Sequence, residues 1–239
     1  MLNENFFYGG KNALSNGIYL QRPITFSGAE PDAETIHVPG RNGDLTIYTG
    51  AYKNRKGNAE CFCLRPYHKE HVAPIVTMAT AMLLGKKGYN RLECTNDPTH
   101  YWMAKVVNGP QIEDRLRTLN PFTVEFDCMP QRFLKSGEVT VRVTNGSTIL
   151  NPTAFPALPL IHINGTGAGR LQIGEYVIEI NSLDENITLD SDTQNAYSGT
   201  TNLNSTIFAP EFPKLVEGLN EISFTGNWTV ELIPRWWTL

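Results

Sequence analysis

A glycine-rich run, Gly165-Thr-Gly-Ala-Gly169, is the first stretch of the chain whose residue types suggest chemistry. Closely spaced glycines let backbone N–H groups approach a phosphate. The spacing here is G-x-G-x-G rather than the G-x-G-x-x-G of dinucleotide sites, and a strand pattern follows where such a site requires a helix. Glycine also supplies the positive φ of tight hairpins. The run therefore predicts a hairpin between two strands and not a phosphate loop.

Two other patterns contain residue types that bind metal ions. His68 and His71 stand three positions apart, but neither an HExxH pattern nor a third ligand accompanies them. The stretch 190–194 begins like a calcium loop, yet it lacks the glycine of the sixth position and has Thr201 where the twelfth requires an acid. We therefore expect the two histidines to be solvated at a helix entry, and Asp190 and Asp192 to cap a turn.

The four cysteines, Cys61, Cys63, Cys94 and Cys128, allow three interpretations. Cys61 and Cys63 would point to the same side of a strand, but the other two stand apart, unlike the paired C-x₂₋₄-C ligands of a zinc site. Disulfides rarely persist in a cytoplasm. Buried free thiols are therefore favoured, with a metal site and disulfides as the alternatives.

Catalytic patterns are equally weak. The sequence has no G-x-S-x-G elbow, and no cysteine has an obvious His and Asn partner. The adjacent acids Asp184 and Glu185 could do acid–base work in a cleft, but their surroundings favour an exposed turn. We expect a protein that is not an enzyme and that holds no cofactor or metal.

Composition restricts the possible classes of protein further. The 239 residues carry a net charge of −4, which argues against a nucleic-acid binder that relies on neutralising phosphates. No run approaches the roughly 18 apolar residues of a membrane span, and the first ten residues lack the basic and apolar regions of a secretory signal. A soluble protein made in a cytoplasm, without nucleic-acid or membrane partners, is expected.

Charge is distributed unevenly along the chain. Residues 1–130 carry 14 Lys and Arg against 13 Asp and Glu, whereas residues 131–239 carry 6 against 11. All four cysteines also lie before residue 130. Both observations predict two domains, 1–130 and 131–239.

The first half is predicted to be mostly strands with one helix. Apolar residues recur at helical spacing from Val72 to Leu83, Pro74 fits the first turn, and Gly85 suits the position after the helix. Alternating apolar and polar residues predict the strands Gly17–Pro23, Thr35–Val38, Leu45–Tyr52, Ala59–Arg65, Asn90–Cys94, His100–Val107 and Leu116–Cys128.

The second half is predicted to be a β-sandwich. Short strands separated by Gly, Asn, Asp and Thr turns, without any helical period, are typical of that architecture. The predicted strands are Val139–Thr144, Leu158–Asn164, Arg170–Ile173, Tyr176–Asn181, Asn186–Asp190, Glu221–Phe224 and Trp228–Pro234. The stretch Asp192–Pro213 is interpreted as a loop with one strand near Thr201–Leu203.

The order of motifs resembles the distal tail protein (Dit) family of siphophages and prophages, which are hub proteins of the phage tail-tip baseplate. The most specific piece is Gly-Arg-Asn-Gly-Asp at 40–44, just before a strand. The supporting motifs are Phe7-Tyr8-Gly9, Asn16–Ile18, Leu92-x-Cys94, Asp97–Tyr101, the lead-in at 151–165, Val216–Ile222 and Pro234–Trp237. The resemblance covers essentially the whole chain.

This resemblance implies a mainly β fold. Residues 1–130 would form a ring-forming, tail-tube-like β-sandwich or split barrel with one helix, and residues 131–239 a galectin-like β-sandwich. It also implies a structural role as a homo-hexameric ring at the distal tail tip of the virion, assembled in the bacterial host cytoplasm. Such a ring joins the tail tube protein to the tail-tip hub or tail-associated protein, and often carries receptor-binding proteins.

An alternative function is a carbohydrate-binding module for attachment to the host cell wall. The galectin sugar signature is not reproduced around His162 or Trp228, so the resemblance does not transfer sugar binding to this chain. A tail-tip enzyme that degrades cell wall is a weaker hypothesis, because the sequence lacks an acid pair, metal motif or nucleophile in context.

Two places are candidate contact sites. Glycines on both sides of Arg41 and Asn42 predict a tight turn with Arg41 projecting from its tip. Arg41 is then either a solvated hairpin residue or, with Asn42 and Gly43, a contact to another subunit or to the tube. Adjacent strand residues face opposite sides, so one of Trp236 and Trp237 is expected to enter the sandwich core while the other lies outside it. Together they are expected to dock the C-terminal segment.

Overall fold

The computed structural model describes residues 4–64, 73–111 and 119–239. The chain divides into two compact units, residues 1–132 together with Leu239, and residues 133–238. The division falls within a long strand, two residues beyond position 130. About 54% of the chain is strand, and the described residues contain one α-helix. The predicted mainly β fold class is confirmed.

The first unit contains one large sheet, one helix and a separate two-stranded sheet. In chain order its elements are β1 (Phe6–Tyr8), β2 (Lys11–Asn12), β3 (Tyr19–Leu20), β4 (Thr25–Phe26), β5 (Pro31–Ile36), β6 (Leu45–Tyr52), β7 (Arg55–Leu64), α1 (Ala73–Leu84), β8 (Asn90–Cys94), β9 (Asp97–Val106) and β10 (Leu119–Leu134). The large sheet runs β2-β1-β8-β9-β10-β7-β3, with β4 also on β7. Within the described part of the chain, strands β5 and β6 pair only with each other.

Helix α1 lies where the apolar spacing predicts it. Its buried side chains Ala79, Met82 and Leu83 belong to the core of the first unit, and Ile75 and Val76 pack against that core. The helix ends before Gly85, where a Cβ would lie 2.3 Å from the carbonyl oxygen of Ala81. His68 and His71 lie outside the described residues, as does Val72.

The four cysteines are free and buried, as the favoured interpretation predicts. Burial raises the pKa of the Cys61 thiol to about 12 and that of Cys63 to about 11. Burial likewise raises the pKa of Cys94 and of Cys128 to about 12. A thiol rather than a thiolate is therefore present at neutral pH, and these side chains act as small apolar residues of the core.

The second unit is a sandwich of two sheets. Its strands are β11 (Val141–Val143), β12 (Ser147–Asn151), β13 (Leu160–Thr166), β14 (Gly169–Ile173), β15 (Tyr176–Ile180), β16 (Asn186–Asp190), β17 (Asn195–Ser198), β18 (Thr201–Asn202), β19 (Ile207–Phe208), β20 (Gly218–Phe224), β21 (Asn227–Ile233) and β22 (Trp237–Thr238). One sheet runs β11-β21-β13-β16-β17-β18 and the other β12-β20-β14-β15-β19. Residues from both sheets fill one apolar core.

The sequence prediction was wrong in two parts of this unit. The stretch Asp192–Pro213 contains strands β17, β18 and β19 rather than a loop with one strand, because cross-strand pairing with β16 and β15 organises its polar residues. Strand β12 was not predicted. It pairs with β20 over five residues.

The glycine-rich run is not a hairpin, which corrects the sequence interpretation. It connects β13 to β14, and these strands belong to different sheets. A Cβ on Gly169 would lie 2.3 Å from the carbonyl oxygen of Thr225 and 2.5 Å from the ring of Trp228. One on Gly165 would lie 2.4 Å from the carbonyl oxygen of Asn227 and 2.8 Å from the same ring. Gly226 contacts the same ring, and a Cβ there would lie 3.0 Å away. The glycines allow the backbone to approach a buried tryptophan closely.

Candidate interaction arm

Residues 31–52 form an antiparallel hairpin that we call the arm. Strands β5 and β6 pair from Pro31↔Tyr52 to Ile36↔Leu45, with an irregularity in register between Pro31 and Ala33. Gly50, at φ +82°, lies in this irregular part. The hydroxyl of Thr49 donates to the backbone oxygen of Asp32 at 3.0 Å, which ties the two strands together there. Nearly all side chains of both strands are at least partly exposed.

The end of the arm carries the predicted contact residues. Arg41, Asn42 and Gly43 are exposed in the turn region between β5 and β6, and Gly40 and Gly43 both have φ near +80°. The N–H of Arg41 donates to the carbonyl oxygen of Val38 at 3.2 Å. No hydrogen bond or ion pair from the Arg41 side chain to another described residue is found, so its guanidinium is available for an external partner.

The two faces of the arm expose apolar side chains. On one face Ile36 lies opposite Leu45, and Ile47 follows two positions later; on the other face Tyr48 lies opposite Ala33. Ile47 is 47% exposed and Tyr48 68% exposed. The alternation of apolar and polar residues in Leu45–Tyr52 correctly predicted a strand. Such a pattern does not show whether the apolar side chains pack against the same chain or against another molecule.

A hairpin such as the arm is not expected to be stable in water when no other surface covers it. A single two-stranded hairpin is marginally stable at best, and each strand leaves one row of backbone N–H and C=O groups without a strand partner. Another chain could cover the apolar faces or pair with an open edge. The geometry therefore marks the arm as the candidate interaction site of the first unit.

The base of the arm is anchored to the large sheet. The N–H of Lys53 donates to the carbonyl oxygen of Glu30 at 2.9 Å, which closes the hairpin. Just beyond it, the Arg55 Nε–H donates to the carbonyl oxygen of Ser27 at 2.8 Å, and the Lys56 N–H donates to the Ser27 hydroxyl at 3.0 Å. A fixed base lets the arm present its exposed residues in a defined direction.

The second predicted site, Trp236 and Trp237, has a different environment. Trp236 is 5% exposed and belongs to the core of residues 133–238. Trp237 is half-buried, stacks on Phe155 with ring centroids 4.5 Å apart, and donates its indole N–H to the carbonyl oxygen of Pro156 at 2.9 Å. The two rings therefore have separate partners within the second unit.

The residue before these tryptophans adds a partly buried ion pair. The Arg235 guanidinium donates to the Asp190 carboxylate at 2.6 Å. Burial alone would raise the pKa of Asp190, but the hydrogen bond and charge of Arg235 outweigh it and lower the pKa below its usual range. The N–H of Asp192 also donates to Asp190, at 3.1 Å, so the stretch that resembled a calcium loop is a turn capped by aspartate.

The geometry does not favour a sugar site at His162 or Trp228. The His162 Nδ1 lies 3.0 Å from the Thr188 hydroxyl oxygen, on the neighbouring strand. Trp228 is buried against the glycines described above and offers no face for stacking on a sugar ring. The described residues contain no cluster of three His, Cys, Asp or Glu side chains suited to a metal ion. They also contain no helix long and apolar enough to cross a membrane.

Comparison with known proteins identifies the fold. No protein-family model and no curated protein sequence matches the chain. Among solved structures, it is similar to the Dit (gp 19.1) protein of phage SPP1, described as a paradigm of the hub adsorption apparatus in phages that infect Gram-positive bacteria. The TM-score is 0.75 at 11% identity, and the likeness covers 99% of both chains. The chain has the Dit fold.

A second similar structure is the baseplate of phage P2 in its activated conformation with Ca. The TM-score is 0.51 at 9% identity, over 96% of this chain and 97% of that chain. At such low identity these likenesses concern the fold alone. They confirm the architecture that the motif resemblance implies, and they do not identify which residues bind a partner.

Proposed function

We propose that the chain is a structural protein of a phage tail tip. The observation that carries this proposal is the likeness to the SPP1 Dit protein, which extends over 99% of both chains. In this role the chain joins the tail tube to the baseplate hub within the virion, and carries receptor-binding proteins. It performs no catalytic step.

Self-assembly into a homo-hexameric ring is the finer part of the proposal, and the arm supports it. A head-to-tail contact uses two different surfaces of each subunit and closes into a ring when its rotation divides the circle. The arm supplies one such surface, with apolar side chains on both faces and Arg41 at its end. A second copy of residues 1–132 supplies the other.

Arg41, Asn42 and Gly43 have a specific part in this ring. They lie at the end of the arm and contact a neighbouring subunit or the tail tube. Arginine presents a planar fork of donors that suits carboxylates and backbone carbonyls. Trp236 and Trp237 do not take part in the contact. They hold the C-terminal segment on the second unit through the core, Phe155 and Pro156.

Sedimentation velocity of the full chain over a wide range of concentrations tests the proposal. We expect a hexamer to appear as the concentration rises. The double substitution Ile47→Ser and Tyr48→Ser should shift the equilibrium to monomer, because both side chains lose most of their apolar area. A matched control is Leu219→Ser, which alters a side chain that is 70% exposed in the second unit.

Three results would contradict the self-assembly proposal. The parent could remain monomeric at every concentration, the arm variant could assemble as the parent does, or the Leu219 variant could disassemble equally. Circular dichroism melting of each variant shows whether the fold is retained.

A further inference from the structure

A cavity of about 420 Å³ lies in the first unit, away from the end of the arm. Strands β4, β7, β9 and β10 and the turn before β9 contribute to its lining. Its lining includes Phe26, Arg55, Asp97, Trp102, Arg132 and Leu239. The cavity combines an apolar wall with two guanidinium groups.

The apolar wall is a pair of stacked rings. Phe26 and Trp102 lie with their centroids 4.2 Å apart and their planes 12° from parallel. Trp102 is 5% exposed, and its indole N–H has no hydrogen-bond partner in the described part of the chain. The guanidinium carbon of Arg132 lies 5.5 Å from the Trp102 ring, within cation–π range. The wall is bordered by positive charge.

The two arginines differ in how their charges are compensated. Arg132 donates to the Asp97 carboxylate at 2.9 Å and 2.8 Å, and the His100 Nδ1 lies 2.9 Å from the other oxygen of that carboxylate. Arg55 has no carboxylate partner among the described residues, and its one hydrogen bond there is from Nε–H to Ser27. Among its side chains, the cavity therefore contains two guanidinium groups and one carboxylate.

The uncompensated charge of Arg55 carries a free-energy cost. Burial lowers the pKa of Arg55 from its ordinary value, Cys128 opposes this, and the like charge of Arg132 lowers the pKa further. An anion in the cavity would oppose both effects, because its negative charge favours the charged form of Arg55. The terminal N–H groups of Arg55 are free, within the described residues, to bind it in a bidentate manner.

We propose that this cavity is a binding site for a carboxylate carried on an apolar group. The planar carboxylate matches the fork of the Arg55 guanidinium, whereas the attached apolar group packs on the Phe26–Trp102 pair. A phosphate would satisfy the charge but would leave the aromatic wall uncovered. The site shares Arg55 with the base of the arm but includes no residue of the arm itself, and the proposal does not depend on ring formation.

NMR titration of the full chain tests the site directly, with the arginine Nε–Hε signals as the readout. The probes are benzoate, benzyl alcohol, which has the same ring without charge, and inorganic phosphate. We expect benzoate to shift the Arg55 signal with saturation. The other two probes should bind at least about tenfold more weakly, because each lacks either the carboxylate that pairs with the guanidinium or the apolar ring.

Variants locate the binding. Arg55→Gln should weaken benzoate binding about tenfold or more, followed through the Trp102 indole N–H signal. Arg22→Gln is the matched control, because Arg22 is an exposed arginine of the same unit that pairs with Glu60. Its substitution should leave the affinity unchanged. The titration is repeated on the chain without Leu239, to uncover the cavity fully.

The outcomes are decisive in both directions. Saturable shifts by benzoate alone, lost in the Arg55 variant, support the site. Equal binding of phosphate would overturn the assignment to carboxylates, and equal binding of benzyl alcohol would overturn the role of charge. The proposal also fails if benzoate shifts neither the Arg55 signal nor the Trp102 signal. This result must hold both for the complete chain and for the chain without Leu239.

Discussion

The arm and the C-terminal segment 234–238 are both short stretches with prominent aromatic residues, but their surroundings are opposite. Tyr48 of the arm is 68% exposed, whereas Trp236 is 5% exposed. The strands of the arm pair only with each other. In the C-terminal segment, Arg235 pairs with Asp190, and Trp237 stacks on Phe155.

This difference separates two uses of apolar surface. Trp236 stabilises its own chain, because its ring is removed from water when the chain folds. Tyr48 and Ile47 contribute little to folding, and their apolar area becomes favourable only when another molecule covers it. Substitutions in the two regions should therefore separate stability from assembly.

The largest expected effect on stability is that of Trp236→Ala. Removing a buried aromatic ring should lower the free energy of unfolding of the second unit by about 3–5 kcal/mol. Tyr48→Ala, the matched change in the arm, should stay within about 0.5 kcal/mol. Urea unfolding followed by circular dichroism measures both. Equal losses would show that the two regions do not differ as described.

A smaller effect is expected from Asp190→Asn, which breaks the ion pair with Arg235. A hydrogen bond to a charged group contributes about 1.5–3 kcal/mol. Because the pKa of Asp190 is lowered in the folded state, this stabilisation is complete above the unfolded pKa of about 3.9 and is lost as the pH falls through the folded pKa. The difference between parent and variant in urea midpoint should therefore shrink below about pH 4. A difference independent of pH would exclude the ion pair as its source.

Gly137→Ala tests how closely the chain approaches the C-terminal segment. A Cβ on Gly137 would lie 2.3 Å from the backbone nitrogen of Trp236, so overpacking should cost about 1–3 kcal/mol. Gly28→Ala is the matched control, because a Cβ there meets nothing within 4 Å. Thermal melting compares the two variants. A melting temperature like that of the control would contradict the close contact.

The smallest effect on stability is expected from Arg41→Ala at the end of the arm. The side chain is exposed, so the free energy of unfolding should change by less than about 0.5 kcal/mol. Association measured by sedimentation should nevertheless weaken, whereas Arg170→Ala, an exposed arginine of the second unit, should leave it unchanged. A marked loss of stability would instead make Arg41 an internal brace.

The sequence predicts best those elements whose pattern is local. The apolar spacing from Val72 to Leu83 predicts α1 within one residue of its start. The strand Leu45–Tyr52 is predicted with the correct bounds. Its partner was expected at Thr35–Val38 but spans Pro31–Ile36, because pairing with β6 determines which residues are extended.

Features that depend on distant residues could not be predicted. The glycines at 165 and 169 suggested a hairpin, but they are explained by their close approach to the ring of Trp228 and the backbone before it, some sixty residues later. The partnership of Asp190 with Arg235 likewise joins residues 45 positions apart. For the arm, glycines predicted the turn at 40–43. The exposure of Ile47 and Tyr48 could not be predicted from the sequence and is seen only in the structure.

Photo-crosslinking from the end of the arm tests the central claim most directly. A photoreactive phenylalanine analogue at position 41 of the full chain should produce, on irradiation at assembling concentrations, a ladder of covalent species that ends at six copies. The same analogue at position 219 should produce none. Crosslinks from position 219 but not from position 41, or no ladder from either position, would contradict assembly through the arm.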